Sequence, residues 1–285
     1  MFIKLFTFLL PFIIMTQAQS FDLSDLSSIV DSYMEDKNKL KEKINQAGKQ
    51  RMLTQKISKL SLLIEKNIKK KKNIKKLKNA GSIFSKNLKE LSSEKSQIKK
   101  QLDYINSLWK PFYANIQNII KNKNIKKSTE YIIKNNERLL KESNNLVKLY
   151  EESDKQLNYL DKAKLHIVNL AGRQRMLLEK MGKEKLLTLE NKNNYDKKLK
   201  SSITDFEKAL RSLRVGDQKE HIPKLTNPKL IKKLNIIEPL WKKIKSLYLK
   251  ESLTKKEIRK LILKSSLIRL EYNIYVKLAE LEIEY

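Results

Sequence analysis

Ile44-Asn45-Gln46-Ala47-Gly48-Lys49-Gln50-Arg51-Met52-Leu53 recurs later in the chain as Val168-Asn169-Leu170-Ala171-Gly172-Arg173-Gln174-Arg175-Met176-Leu177. Asn, Ala, Gly, Gln, Arg, Met and Leu coincide in register, and Ile stands against Val. Helical patterning alone does not produce so dense a match, so the chain reads as a tandem duplication. Working outward, Phe84, Leu88 and Leu91 answer Phe206, Leu210 and Leu213, and Leu108-Trp109 answers Leu240-Trp241. Each Trp is expected to anchor a core.

Apolar residues recur at three- and four-residue intervals, and only five glycines and five prolines punctuate the sequence. That is the period of helices. The expected fold is all-α: two tandem up-down four-helix bundles, over residues 21–160 and 161–285. The helices are placed at 25–72, 80–95, 98–121 and 128–160, then 163–191, 195–214, 228–249 and 254–284. Arg214 to Pro228, with Gly216, Pro223 and Pro228, reads as a loop. Thr129 to Leu189 contains no proline, so one long helix could link the repeats. About sixty helical residues would span ~90 Å and give an elongated rod; a break near Ser153-Asp154 is the alternative.

Residues 1–20 read as a secretory leader: Lys4, an apolar run from Leu5 to Met15, then Ala18 and Ser20. The run is short for a membrane span of ~20 residues. The remaining chain is expected to be exported to the periplasm. Cysteine is absent, so neither disulfides nor thiolate metal sites contribute. The formal net charge of +30 comes mostly from scattered lysines. It would attract small anions and acidic surfaces. With no nucleic-acid-binding motif and an exported chain, nucleic acid is not the expected partner.

Ile44, Gly48, Arg51, Gln55, Ser58 and Leu62 fall on one heptad stripe, and Val168, Gly172, Arg175, Glu179, Gly182 and Leu186 repeat it. Leu53, Ile57, Leu60 and Ile64 occupy another face suited to the bundle core. Glycine within a helix costs about 1 kcal/mol relative to Ala, which a solvated face would not require. A face approached closely by a ligand or by another helix would. Arg offers a planar fork of donors suited to oxyanions and stays charged at any working pH. Two such stripes facing each other would converge two guanidinium groups on one small anion. The bland alternative pairs each Arg with a carboxylate across a helix seam.

At these residues the chain resembles the PilJ/NarX-type N-terminal sensor domain, a four-helix bundle of nitrate/nitrite sensor kinases and type IV pili chemoreceptors. The resemblance runs through Ala47-Gly48-Lys49-Gln50-Arg51-Met52-Leu53-Thr54-Gln55-Lys56 and Ala171-Gly172-Arg173-Gln174-Arg175-Met176-Leu177, and covers both repeats. It implies that Gly48 with Arg51, and Gly172 with Arg175, line a nitrate or nitrite site at a dimer interface, between first helices; Gln55, on the same stripe as Arg51, is counted among the anion-binding residues. The usual continuation, Ser-Gln-Arg, is kept loosely as Thr54-Gln55-Lys56. In the second copy it is Leu178-Glu179-Lys180, which sets a carboxylate on the stripe of Arg175. The resemblance also implies a membrane-bound histidine kinase or chemoreceptor as partner, reached by contact because no kinase or receptor module follows.

The site is expected either within one chain, Arg51 facing Arg175, or in a homodimer with each motif facing its own copy. An adaptor whose Gly-Arg stripe is only a packing seam is the competing reading. Met52, Met176, Trp109 and Trp241 are expected in cores, and His166 and His221 stand alone. No nucleophile-base pair, phosphate loop or carboxylate pair suggests an enzyme, and no cofactor is expected.

Overall fold

The structure, a computed structural model, describes residues 23–153, 159–190, 194–220 and 222–282. The leader assigned to 1–20 and His221 lie outside the described residues. The chain divides into a unit of residues 1–39 and a compact unit of residues 40–285. The second unit contains every contact discussed below.

The elements are α1 (Leu23–Glu65), α2 (Lys70–Glu90), α3 (Ser96–Ile120), α4 (Ile125–Glu151), α5 (Tyr159–Thr188), α6 (Tyr195–Val215), α7 (Pro228–Leu249) and α8 (Lys255–Glu282). The chain is all-α, and among the described residues each repeat contributes four helices. The aromatic landmarks sit where the repeat predicts. Trp109 stacks on Phe84 with ring centroids 3.9 Å apart, and Trp241 lies against Phe206 at 4.4 Å. All four rings are buried, as are Met52 and Met176.

Boundaries in the first repeat differ from the sequence expectation: α2 runs Lys70–Glu90 rather than 80–95, and α1 and α4 both end early. The first helix ends at Glu65 rather than near residue 72, because Asn67 adopts φ 55° and the Ile68 N–H closes back on the Leu63 carbonyl at 2.8 Å. This is a Schellman-type stop with Asn in the place usually taken by Gly. The same geometry ends α3, where Asn122 has φ 58° and the Lys123 N–H reaches the Asn118 carbonyl at 2.8 Å. The run Lys69 to Lys72 therefore opens α2 instead of closing α1.

The long helix expected to link the repeats is two helices. At the end of α4, Ser153 folds back on the Tyr150 carbonyl, with its N–H at 3.2 Å and its hydroxyl at 2.8 Å. The helical path stops there, and α5 begins at Tyr159. The break falls beside the Ser153-Asp154 position considered as the alternative.

The consequence is the placement of α5 beside α1. Asn45 meets Arg175, Arg51 meets Asn169, Lys59 meets Glu179 and Lys66 meets Glu190. From Arg51–Asn169 through Lys59–Glu179 to Lys66–Glu190 the residue numbers rise together, so the two motif helices run parallel, with the Asn45–Arg175 and Arg51–Asn169 bonds crossing between them. From Gln50 to Ile64 and from Gln174 to Leu187 almost every residue is buried. One face of each helix packs in its own repeat and the other packs against its duplicate. Polar side chains on the shared face must consequently find partners within the protein.

Candidate functional site

Arg51 and Arg175 are each 3% exposed and meet between α1 and α5. Arg51 donates from Nη2 to Asn169 Oδ1 at 2.6 Å and from Nη1 to Asn144 Oδ1 at 3.1 Å. Arg175 mirrors it, donating from Nη2 to Asn45 Oδ1 at 2.9 Å and from Nη1 to Asn273 Oδ1 at 3.3 Å. Each guanidinium therefore binds one Asn of the opposite motif helix and one of its own repeat's fourth helix. Both Nε atoms are buried and have no hydrogen-bond partner among the described residues. A guanidinium has five N–H bonds, so each keeps unused donors on Nε and on both Nη atoms.

The glycines explain how the two groups fit. A Cβ on Gly48 would stand 3.2 Å from Arg51 Nη2, and one on Gly172 would stand 3.2 Å from Arg175 Nη2. Each Arg folds back over the Gly of its own helix. The point above Gly172 is also 3.8 Å from Arg51 Nη2, so both guanidinium groups converge on one small region. The facing geometry forms within a single chain.

No ion pair neutralises either Arg among the described residues. Burial lowers the Arg51 guanidinium to about 10; Glu151 opposes the shift and Arg175 adds to it. Burial likewise lowers Arg175 to about 10, with Glu280 opposing and Arg269 adding. Both remain charged at neutral pH, so two like charges share a buried seam. Glu151 accepts a hydrogen bond from Asn169 Nδ2 at 2.6 Å rather than from Arg51. Burial pushes the carboxyl groups of Glu151 and Glu280 upward in spite of the nearby arginines. Lys49 and Arg173, at matching positions of the two motifs, are exposed at the rim. They bear electrostatically on Arg175 and Arg51 respectively.

Two expected site residues lie in a neighbouring layer. Gln55 Nε2 donates to Asn136 Oδ1 at 3.3 Å and to Thr54 Oγ1 at 3.2 Å rather than sharing a partner with either Arg. Glu179 pairs with Lys59 of the opposite motif helix and with Arg269 Nε at 3.0 Å, leaving Arg175 unneutralised. Burial pushes the Glu179 carboxyl up, but Lys59, Arg269 and Lys56 together hold it below the usual range. Gly182 belongs to this crossing: a Cβ there would stand 2.7 Å from Lys59 Cδ. Lys183, the repeat counterpart of Lys59, also crosses the seam, to Asn136 and Glu137.

The sequence reading missed the four asparagines. Asn45 and Asn169 were visible as a shared letter of the duplicated phrase, whereas Asn144 and Asn273 carry no spacing signal. The motif glutamines are structural: Gln50 Nε2 donates to the Phe84 carbonyl at 3.0 Å and Gln174 Nε2 to that of Phe206 at 2.9 Å. Each ties the motif helix to the element carrying the core aromatic ring.

The family described as type IV pili methyl-accepting chemotaxis transducer N-terminal, PilJ, matches residues 34–132 and 154–264, more than half of the chain. The chain belongs to the PilJ family. The two matched segments each contain one Gly-Arg motif, in agreement with tandem copies of the PilJ domain. PilJ domains are chemoreceptor-associated sensory domains, signalling rather than enzymatic in character. No curated protein and no solved structure matches the chain. Among the described residues, no helix is long and apolar enough to cross a membrane.

Proposed function

We propose that this protein senses a small oxyanion of the nitrate or nitrite class, bound between Arg51 and Arg175 within one chain. The observation that carries the reading is the convergence of two buried, charged guanidinium groups without a carboxylate partner. In this reading the chain is exported, loses residues 1–20, and works in the periplasm as an accessory to a membrane-bound sensor kinase or chemoreceptor. Gly48 and Gly172 make room for the guanidinium forks, and the four asparagines aim them. An anion entering the seam takes up the free N–H bonds and replaces mutual repulsion with two attractions. Because one Arg belongs to each motif helix, occupancy favours one relation of α1 to α5 over others, as a two-state sensor requires.

The second reading, a packing seam in an adaptor, draws support from the cross-repeat Arg–Asn bonds, which would hold α1 against α5 with no ligand. Calorimetric titration with nitrate, nitrite, sulfate and chloride, beside Arg51→Ala, separates the two. Selective saturable binding lost in the variant supports sensing. Absence of binding to all four anions, in a folded sample, supports the seam.

The carboxyl groups add a pH dependence. Glu151 and Glu280 have raised folded-state values, so protonation occurs above the ordinary carboxylate range and removes negative charge beside the arginines. Anion affinity is expected to rise as pH falls through those raised values. Titrations with nitrate, itself unprotonated throughout, measure it; Glu151→Gln should raise affinity at pH above the Glu151 value and flatten the profile.

A further inference from the structure

The fourth helix of the second repeat has two apolar faces. Ile258, Leu261, Ile268, Tyr272, Tyr275, Val276 and Ala279 are buried against the rest of the molecule. On the opposite side Leu263, Leu267, Leu270 and Ile274 are 63%, 45%, 50% and 36% exposed. Their spacing of four, three and four is that of a helix-helix seam and spans about three turns.

The duplication supplies an internal control. Asn144 and Asn273 bind the two arginines equivalently, which fixes the register of α4 against α8. In that register Leu263, Leu267, Leu270 and Ile274 correspond to Lys134, Arg138, Lys141 and Asn145. The same helix in the same bundle thus works with a polar outer face. The fold does not require the apolar stripe on α8, and exposing it invites association.

Charge selects the occupant. Lys256, Arg259 and Lys260 flank one end of the stripe and Lys277 the other, all exposed, in a chain of net charge +30. A second copy would bring like charges together, and an antiparallel pairing centred on the stripe would set Lys260 opposite Lys277. The single line of four residues is narrow for a face immersed in a bilayer. It fits the seam of one partner helix. We propose that the outer face of α8 docks an acidic amphipathic helix of another protein, with apolar residues at heptad spacing and carboxylates meeting the basic ends. This inference does not depend on the anion reading.

The test uses the full chain after the leader and a fluorescent synthetic helix of about three heptads, with Leu at a and d and Glu at e and g. The variant Leu263→Lys/Leu267→Arg/Leu270→Lys copies the residues of α4, so it should melt like the parent by circular dichroism. The parent is expected to bind the peptide saturably, more weakly with added salt, and the variant at least about tenfold more weakly. No peptide binding by the parent, or equal binding by the variant, overturns the proposal. A parent dimer in sedimentation that the variant dissolves would assign the face to a second copy instead. Flotation with phosphatidylglycerol vesicles, lost in the variant, would assign it to a membrane.

Discussion

Arg51→Ala is expected to lower oxyanion affinity at least ~100-fold while leaving the helical fold intact. The guanidinium supplies charge-assisted bonds worth about 1.5–3 kcal/mol each, and truncation removes them together. Arg175→Ala should do nearly the same, because in the proposed site each Arg forms one half. The double variant should lose little more than either single one, since the two act as a unit. Arg51→Lys keeps the charge without the planar fork and should fall between. The stability cost is smaller. Asn144 and Asn169 lose a donor, but repulsion from Arg175 is relieved. Titration calorimetry with thermal melts on the same samples measures both effects; unchanged affinity in both single variants would remove the arginines from the site.

Glu179→Gln is expected to be the most damaging conservative change in the molecule. It preserves shape but leaves Lys59 and Arg269 without their shared carboxylate in the buried seam between the motif helices. Breaking one side of a buried ionic cluster costs about 3–5 kcal/mol. For a unit of this size that lowers Tm by roughly 10 °C. The folded-state value of Glu179 is depressed, so its contribution is present above the unfolded carboxyl value and is lost as pH falls through the folded one. The parent should therefore lose its advantage over the variant only in strong acid. Adding Lys59→Met to Glu179→Gln removes one of the two stranded cations and should restore much of the loss. A Tm unchanged by Glu179→Gln would show that this layer does not hold the repeats together.

The duplicated phrase made the fold legible, because a repeat constrains every element twice. Helix boundaries in the second repeat lay within a few residues of the sequence expectation, helped by Gly216 and by Pro228 at the start of α7. The turn after α1 was not legible, since Asn67 does what Gly commonly does and nothing in composition marks it. The break after α4 was legible only as an alternative: Ser153 closes on Tyr150 without a glycine or proline to decide between a break and a continuous helix. That break is why Arg51 and Arg175 face each other.

The site was legible to the depth of the motif itself. Gly48, Arg51, Gly172 and Arg175 could be named because their spacing is the same in both copies. Apart from Arg51 facing Arg175, which stood as one of two alternatives, contacts that cross from one repeat to the other could not. Glu179 looked like a neutraliser of Arg175 because the two share a stripe, but Lys59 and Arg269 come to it from other helices. Gly182 shared the stripe without showing what approaches it, and the space beside it is filled by the Lys59 stem. Spacing along one helix reports which residues share a face, but the occupant of that face is set by the approach of a second helix.

The central claim is that one chain completes one anion site from its two motifs. The most direct measurement is the stoichiometry of nitrate or nitrite binding by calorimetry, with sedimentation at the same concentrations. The account predicts saturation at one anion per monomeric chain. Two anions per chain, binding only in a dimer, or no binding of any small oxyanion by the folded protein would contradict it.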